Sequence, residues 1–69
     1  MEPHLVKKAI NDRATIKHIE TGKEYLIIGI GKYKDEATGW TQSGASYTCG
    51  DGVIYTRPFH LFNGFTRLN

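Results

Sequence analysis

The stretch Lys23-Glu24-Tyr25-Leu26-Ile27-Ile28-Gly29-Ile30-Gly31-Lys32-Tyr33 decides the fold. It is rich in β-branched and aromatic residues, the composition of a strand. Successive side chains of a strand point to opposite faces. Leu26, Ile28 and Ile30 therefore fall on one face, and Tyr25, Ile27, Gly29, Gly31 and Tyr33 on the other. Two glycines on one face weaken a strand and mark either a sharp bend or the close approach of something across that face. In a small barrel the bend is the more economical account.

The flanking sequence supplies partners for this strand. Thr21-Gly22 is a turn signal just before it. Arg13 to Glu20 reads as a strand joined to it as a hairpin, with Ile16 and Ile19 on opposite sides of the pleat. Downstream, Asp35 to Gly39 is a polar loop, Trp40 to Thr48 a third strand, and Val53 to Arg57 a fourth, ended by Pro58. The third strand is low in side-chain bulk, which makes it the expected sheet edge. Cys49-Gly50-Asp51-Gly52 reads as a two-residue hairpin turn centred on Gly50-Asp51 or on Asp51-Gly52. In either register Ala45, Tyr47 and Cys49 share a face with Ile54, while Trp40, Ser46 and Thr48 share the other with Val53, Tyr55 and Arg57. A one-residue slip would exchange the two sets.

Phe59-His60-Leu61-Phe62 predicts a single 3₁₀ turn, and Phe65 to Leu68 a closing fifth strand after the turn at Asn63-Gly64. At the other end, Leu5, Val6, Ala9 and Ile10 form one helical stripe between Pro3 and Asp12, with Pro3 suited to the first turn. The expected class is all-β: a small SH3-like barrel or a twisted antiparallel sheet of four or five strands, with a short N-terminal helix. Residues 1–12 form the helical extension and 13–69 the single domain.

Length and composition bound what such a chain does. Sixty-nine residues give one core and bury only about 60% of the unfolded surface, so a deep cleft is hard to build. The net charge of +2 is too small to diagnose a nucleic-acid binder, and no run of five or more like charges is present. The single cysteine, Cys49, allows no internal disulfide and no cysteine-based metal framework. Met1-Glu2-Pro3-His4 does not open a signal peptide, and the longest apolar stretch is far too short to span a bilayer. A cytoplasmic placement, off the membrane, is the simplest expectation.

The central and C-terminal pattern resembles the DUF1653 family of short bacterial and phage proteins. The pieces that carry the resemblance are His18, Gly22, Glu24-Tyr25-Leu26-Ile27 with Gly29-Ile30, then Tyr55, Arg57-Pro58 and Phe62. They span roughly Ile16 to Phe62. The segment from Lys34 to Gly52 departs from the family, being rich in glycine, serine and threonine. The resemblance implies a small β-barrel-like fold and no particular activity.

The residues offer little catalytic equipment. Cys49, His18, His60 and Asp51 are the types a thiol nucleophile and base require, but no spacing joins them, so Cys49 reads as a small apolar residue. The three histidines match no metal-ligand spacing. Gly29-Ile30-Gly31 opens no helix and is no dinucleotide fingerprint. The expectation is no enzyme, no cofactor and no metal. Binding is the better reading, with Tyr33, Trp40, Tyr55 and Arg57 as the partner-binding residues of a protein–protein interaction module. A phage or mobile-element protein that occludes a host protein would have this size, and a second copy of the chain is an alternative partner. Nucleic acid is the other reading, with Lys32 and Lys34 joining the same aromatics as a stacking platform. Against both stands the plain alternative that Trp40 and Tyr55 are core, and that Arg57 pairs with Asp51 or Glu24 to anchor a turn.

Overall fold

The computed structural model describes all residues, 1–69. A helix α1 (Pro3–Asn11) is followed by strands β1 (Thr15–His18), β2 (Glu24–Lys34), β3 (Thr41–Thr48) and β4 (Tyr55–Pro58). A 3₁₀ turn (Phe59–Leu61) then leads into β5 (Phe65–Arg67). The strands form one antiparallel sheet in the order β4-β3-β2-β1-β5. The protein is thus mostly β with a short N-terminal helix. The sheet does not close on itself, and β4 and β5 are its two edges.

Helix α1 forms where the apolar stripe predicts it, with Pro3 in its first turn. Val6 and Ala9 lie one turn apart and are fully buried, so the helix is part of the core. It packs on β2, β3 and the 3₁₀ turn. Arg13 takes a positive φ of 51°, which breaks the helix and lets the chain enter β1. The core it helps to seal consists of Val6, Ala9, Ala14, Ile16, Ile27, Ala45, Tyr47, Phe62 and Phe65. Ile16 is buried, whereas Ile19 lies beyond the end of β1 and is exposed.

Strand β2 carries a bulge. Ile27 pairs with Tyr47, but the next pair is Gly29 with Ser46, so one residue is left over. The bulge breaks the expected alternation. Ile30 pairs with Ala45 and so moves to the side of Tyr25 and Ile27, not the side of Leu26 and Ile28. A bulged strand bends, which fits the bend expected at the glycines. Beyond the bulge the strand runs past the core, and Ile30 is 65% exposed.

Two expectations for the second half of the chain are overturned. β3 is no edge: it sits between β2 and β4. Its small residues let β4 come close, as a Cβ on Gly44 would overlap the Arg57 carbonyl oxygen. The turn register also differs. Tyr47 pairs with Tyr55 and Ala45 with Arg57, which is the one-residue slip that exchanges the faces. The reason is a loop longer than two residues. The Thr48 hydroxyl donates to the Val53 carbonyl (2.7 Å) and accepts from the Gly50 N–H (3.2 Å), while the Asp51 carboxylate accepts from the Val53 N–H (3.0 Å). Gly50 and Gly52 both take a φ of +86°, as this loop requires.

Candidate functional site

The exchanged register gathers the aromatic residues. Tyr47 lies at the centre, with its ring edge-on to Tyr25 (centroids 5.1 Å), Phe62 (5.7 Å) and Phe65 (5.5 Å), and stacked on Tyr55 at 5.6 Å. Such pairs are favourable beyond the area they bury. Tyr47 and Phe65 are almost wholly buried, Tyr25 is half-buried and Tyr55 is 39% exposed. Above this floor lies an open depression of about 280 Å³, lined by His18, Thr21, Lys23, Tyr25, Tyr47, Tyr55, Arg57 and Phe65. Strands β1 to β5 and the β1–β2 turn all contribute to it.

Arg57 is fixed in place. Its Nε donates to the Tyr47 hydroxyl (3.3 Å), its Nη1 to the Leu61 carbonyl (3.4 Å), and its guanidinium lies 5.3 Å from the centre of the Phe65 ring. The expected pairing with Asp51 or Glu24 does not occur; the arginine is held by aromatic rings and a backbone carbonyl. His18 sits edge-on to Phe65 at 4.9 Å, and its Nδ1 is 3.0 Å from the Thr21 hydroxyl. Lys23 extends over the Tyr25 ring, 5.8 Å from its centre. Coulombic attraction to Cys49, followed by Tyr25, raises the pKa of the Lys23 ammonium above its ordinary value.

The structure divides the sequence-predicted residues into two places. Tyr55 and Arg57 line the depression. Tyr33 pairs with Gln42, and Lys32 and Lys34 pair with Ser43 and Thr41, at the opposite end of the β2–β3 hairpin from Tyr25 and Tyr47. Trp40 precedes β3 in the polar loop and is 72% exposed. It is not core. The expected face uniting Trp40 with Tyr55 is absent, because the register exchange turns Tyr55 to the other side of the sheet. Sequence reasoning missed Tyr25, Tyr47 and Lys23. Tyr25 and Tyr47 each stood on an identified strand face, but the wrong register left them without Tyr55 as a neighbour.

Of the residues weighed for thiol chemistry, Cys49 and Asp51 come close enough to influence each other. Cys49 is half-buried in the loop after β3, beside Lys23. No group of three or more His, Cys, Asp or Glu side chains is placed to hold a metal ion. No helix is long and apolar enough to cross a membrane. His18, Tyr25, Tyr55 and Arg57 line the depression, and Phe62 packs against Tyr47 and Phe65. No family model, curated protein or solved structure matches the chain.

Proposed function

We propose that the chain is a non-enzymatic protein–protein interaction module of SH3-like, DUF1653-like type, and that its partner seats on the depression formed by Tyr25, Tyr47, Tyr55, Arg57 and Phe65. Five antiparallel strands in one sheet and the bulge in β2 support the SH3-like reading. The observation that carries the functional reading is the rigid aromatic floor, with an immobilised arginine beside a partly exposed tyrosine. Tyrosine and arginine supply most of the energy at protein interfaces, and a prearranged arginine loses little entropy on binding.

The same geometry leaves no slot for a base between two rings of the depression. A base slotted between two rings needs them roughly 7 Å apart, twice a carbon–carbon contact. Tyr47 and Tyr55 are already stacked at 5.6 Å, and Tyr25 stands nearly perpendicular to Tyr55 (83°), so no such slot is open. Lys32 and Lys34 lie at the far hairpin end, with Tyr33 and the exposed Trp40, and lay no cationic track beside the aromatics of the depression.

The test is affinity capture from host lysate, with and without nuclease, using the native chain, Tyr55→Ala and Trp40→Ala. Capture of a discrete protein that survives nuclease and Trp40→Ala, and is lost with a still-folded Tyr55→Ala chain, supports the module. Retention that nuclease abolishes, or that ignores Tyr55→Ala, overturns it.

A further inference from the structure

The cations that line the depression form no ion pair within the fold. They are Lys23 and Arg57, and no carboxylate lines the depression. The ion pairs of the protein all lie elsewhere, joining His4 to Glu2 and both Lys8 and Arg67 to Asp12. Asp51 is near enough to act on Lys23 but forms no ion pair with it. Arg57 spends Nε and one Nη1 hydrogen on the protein, while Nη2 donates to no protein group. An arginine clamped on one side with free donors on the other is set to receive a carboxylate, the partner that best matches its planar fork.

Size narrows the occupant further. About 280 Å³ falls just below the range for small-molecule sites, roughly 300–1,000 Å³, and suits one large side chain. Its apolar part is the surface of Tyr25 and Tyr55, and its charged part is the rim.

Resting on the interaction-module reading, we propose that the depression recognises an acidic segment of the partner protein, seating one aromatic side chain on Tyr25 and Tyr55 with a neighbouring carboxylate on Arg57 and a second near Lys23. Opposite charge across the contact steers the segment in, and the aromatic contact retains it.

The test is an amide-shift titration of the isotope-labelled protein with a capped pentapeptide, one phenylalanine flanked on each side by two acidic residues. Parallel titrations use the same peptide with the acids replaced by their amides, a peptide with serine for phenylalanine, and a short oligothymidylate. The expected result is saturable shifts at Tyr25, Tyr47, Tyr55 and Arg57 with the acidic aromatic peptide alone. Arg57→Gln and Lys23→Gln should each weaken it at least tenfold. Lys23 is a rim residue, so Lys23→Gln keeps the test decisive should Arg57→Gln fail to fold. Equal binding of the amide peptide, stronger binding of the oligothymidylate, or no shifts at millimolar peptide overturns the proposal. If the acidic peptide fails while lysate capture still depends on Tyr55, only the ligand chemistry is wrong; if capture itself ignores Tyr55, the module reading falls with it.

Discussion

Gly31 and Gly44 pair across β2 and β3, and each is glycine for a different neighbour. A Cβ on Gly44 would overlap the Arg57 carbonyl oxygen and lie 2.9 Å from its carbon, which is backbone and unable to step aside. A Cβ on Gly31 would overlap the Ser46 hydroxyl and lie 2.8 Å from Thr56 Oγ1. Those two hydroxyls are hydrogen-bonded to each other at 2.7 Å. Gly31→Ala is therefore expected to destabilise the fold by about 1–3 kcal/mol, the usual cost of overpacking. Ser46→Ala should recover part of the loss, because it removes the atom the new methyl strikes. Urea melts of the two single variants and the double variant check this; strictly additive losses would refute the steric account. Gly29 has open space where its Cβ would stand. The sequence pattern placed both glycines on one face and tied them to a bend. That Gly31 makes room for a hydroxyl pair depends on which side of β3 and β4 faces it, and a pattern along one strand does not contain that.

At the scale of elements, every strand lies close to where alternation and turn signals place it, and the 3₁₀ turn follows from the spacing of Phe59 and Phe62. Periodicity is a local property, so local sequence reveals it. Pairing between strands is not, and the β3–β4 loop shows why. Cys-Gly-Asp-Gly has the composition of a two-residue turn, yet Thr48 and Asp51 spend their side chains on the loop backbone and widen it. The resulting one-residue shift decides whether Tyr55 and Arg57 join Tyr47 or turn away, so the candidate site was hidden while its strands were visible. The loop should accordingly be sensitive at its glycines. Gly52 holds a φ of +86° in open space, so alanine meets no neighbour there and only the backbone conformation resists it. Gly52→Ala is expected to cost about 1–2 kcal/mol, the penalty for an L-residue in a left-handed conformation. A thermal melt reads this directly, and an unchanged melting temperature would show that the loop has another conformation of equal energy.

The whole molecule rests on nine buried apolar residues, and domains of this size are marginal. At roughly 0.05–0.15 kcal/mol per residue its total stability is about 3–10 kcal/mol. Phe62 is fully buried against Tyr47 and Phe65, so Phe62→Ala is expected to cost about 3–5 kcal/mol, a large share of that total; a urea melt of that variant matching the native chain's would contradict the assignment of the core. The ends of the chain are tied as well. Thr15 and Leu68 share a backbone bond, and Arg67 Nη1 reaches the Asp12 carboxylate at 2.9 Å, joining the end of α1 to the edge strand β5. The Arg67 hydrogen bond, first among its influences, holds the Asp12 carboxyl below its ordinary value of 3.8 against a smaller opposing effect of burial. The folded state then binds the proton more weakly than the unfolded chain. The contribution is fully present above the ordinary carboxylate range and is lost as pH falls through the lowered folded value. Asp51 behaves in the same sense, held down chiefly by the Val53 N–H. Melting temperature should therefore fall as pH drops from about 5, and Asp12→Asn should lower it at neutral pH while flattening part of the acid slope, with Asp51 supplying the remainder. Melting curves of the native chain and Asp12→Asn that stay parallel from neutral to acid pH would mean that the tie between α1 and β5 contributes nothing to folding.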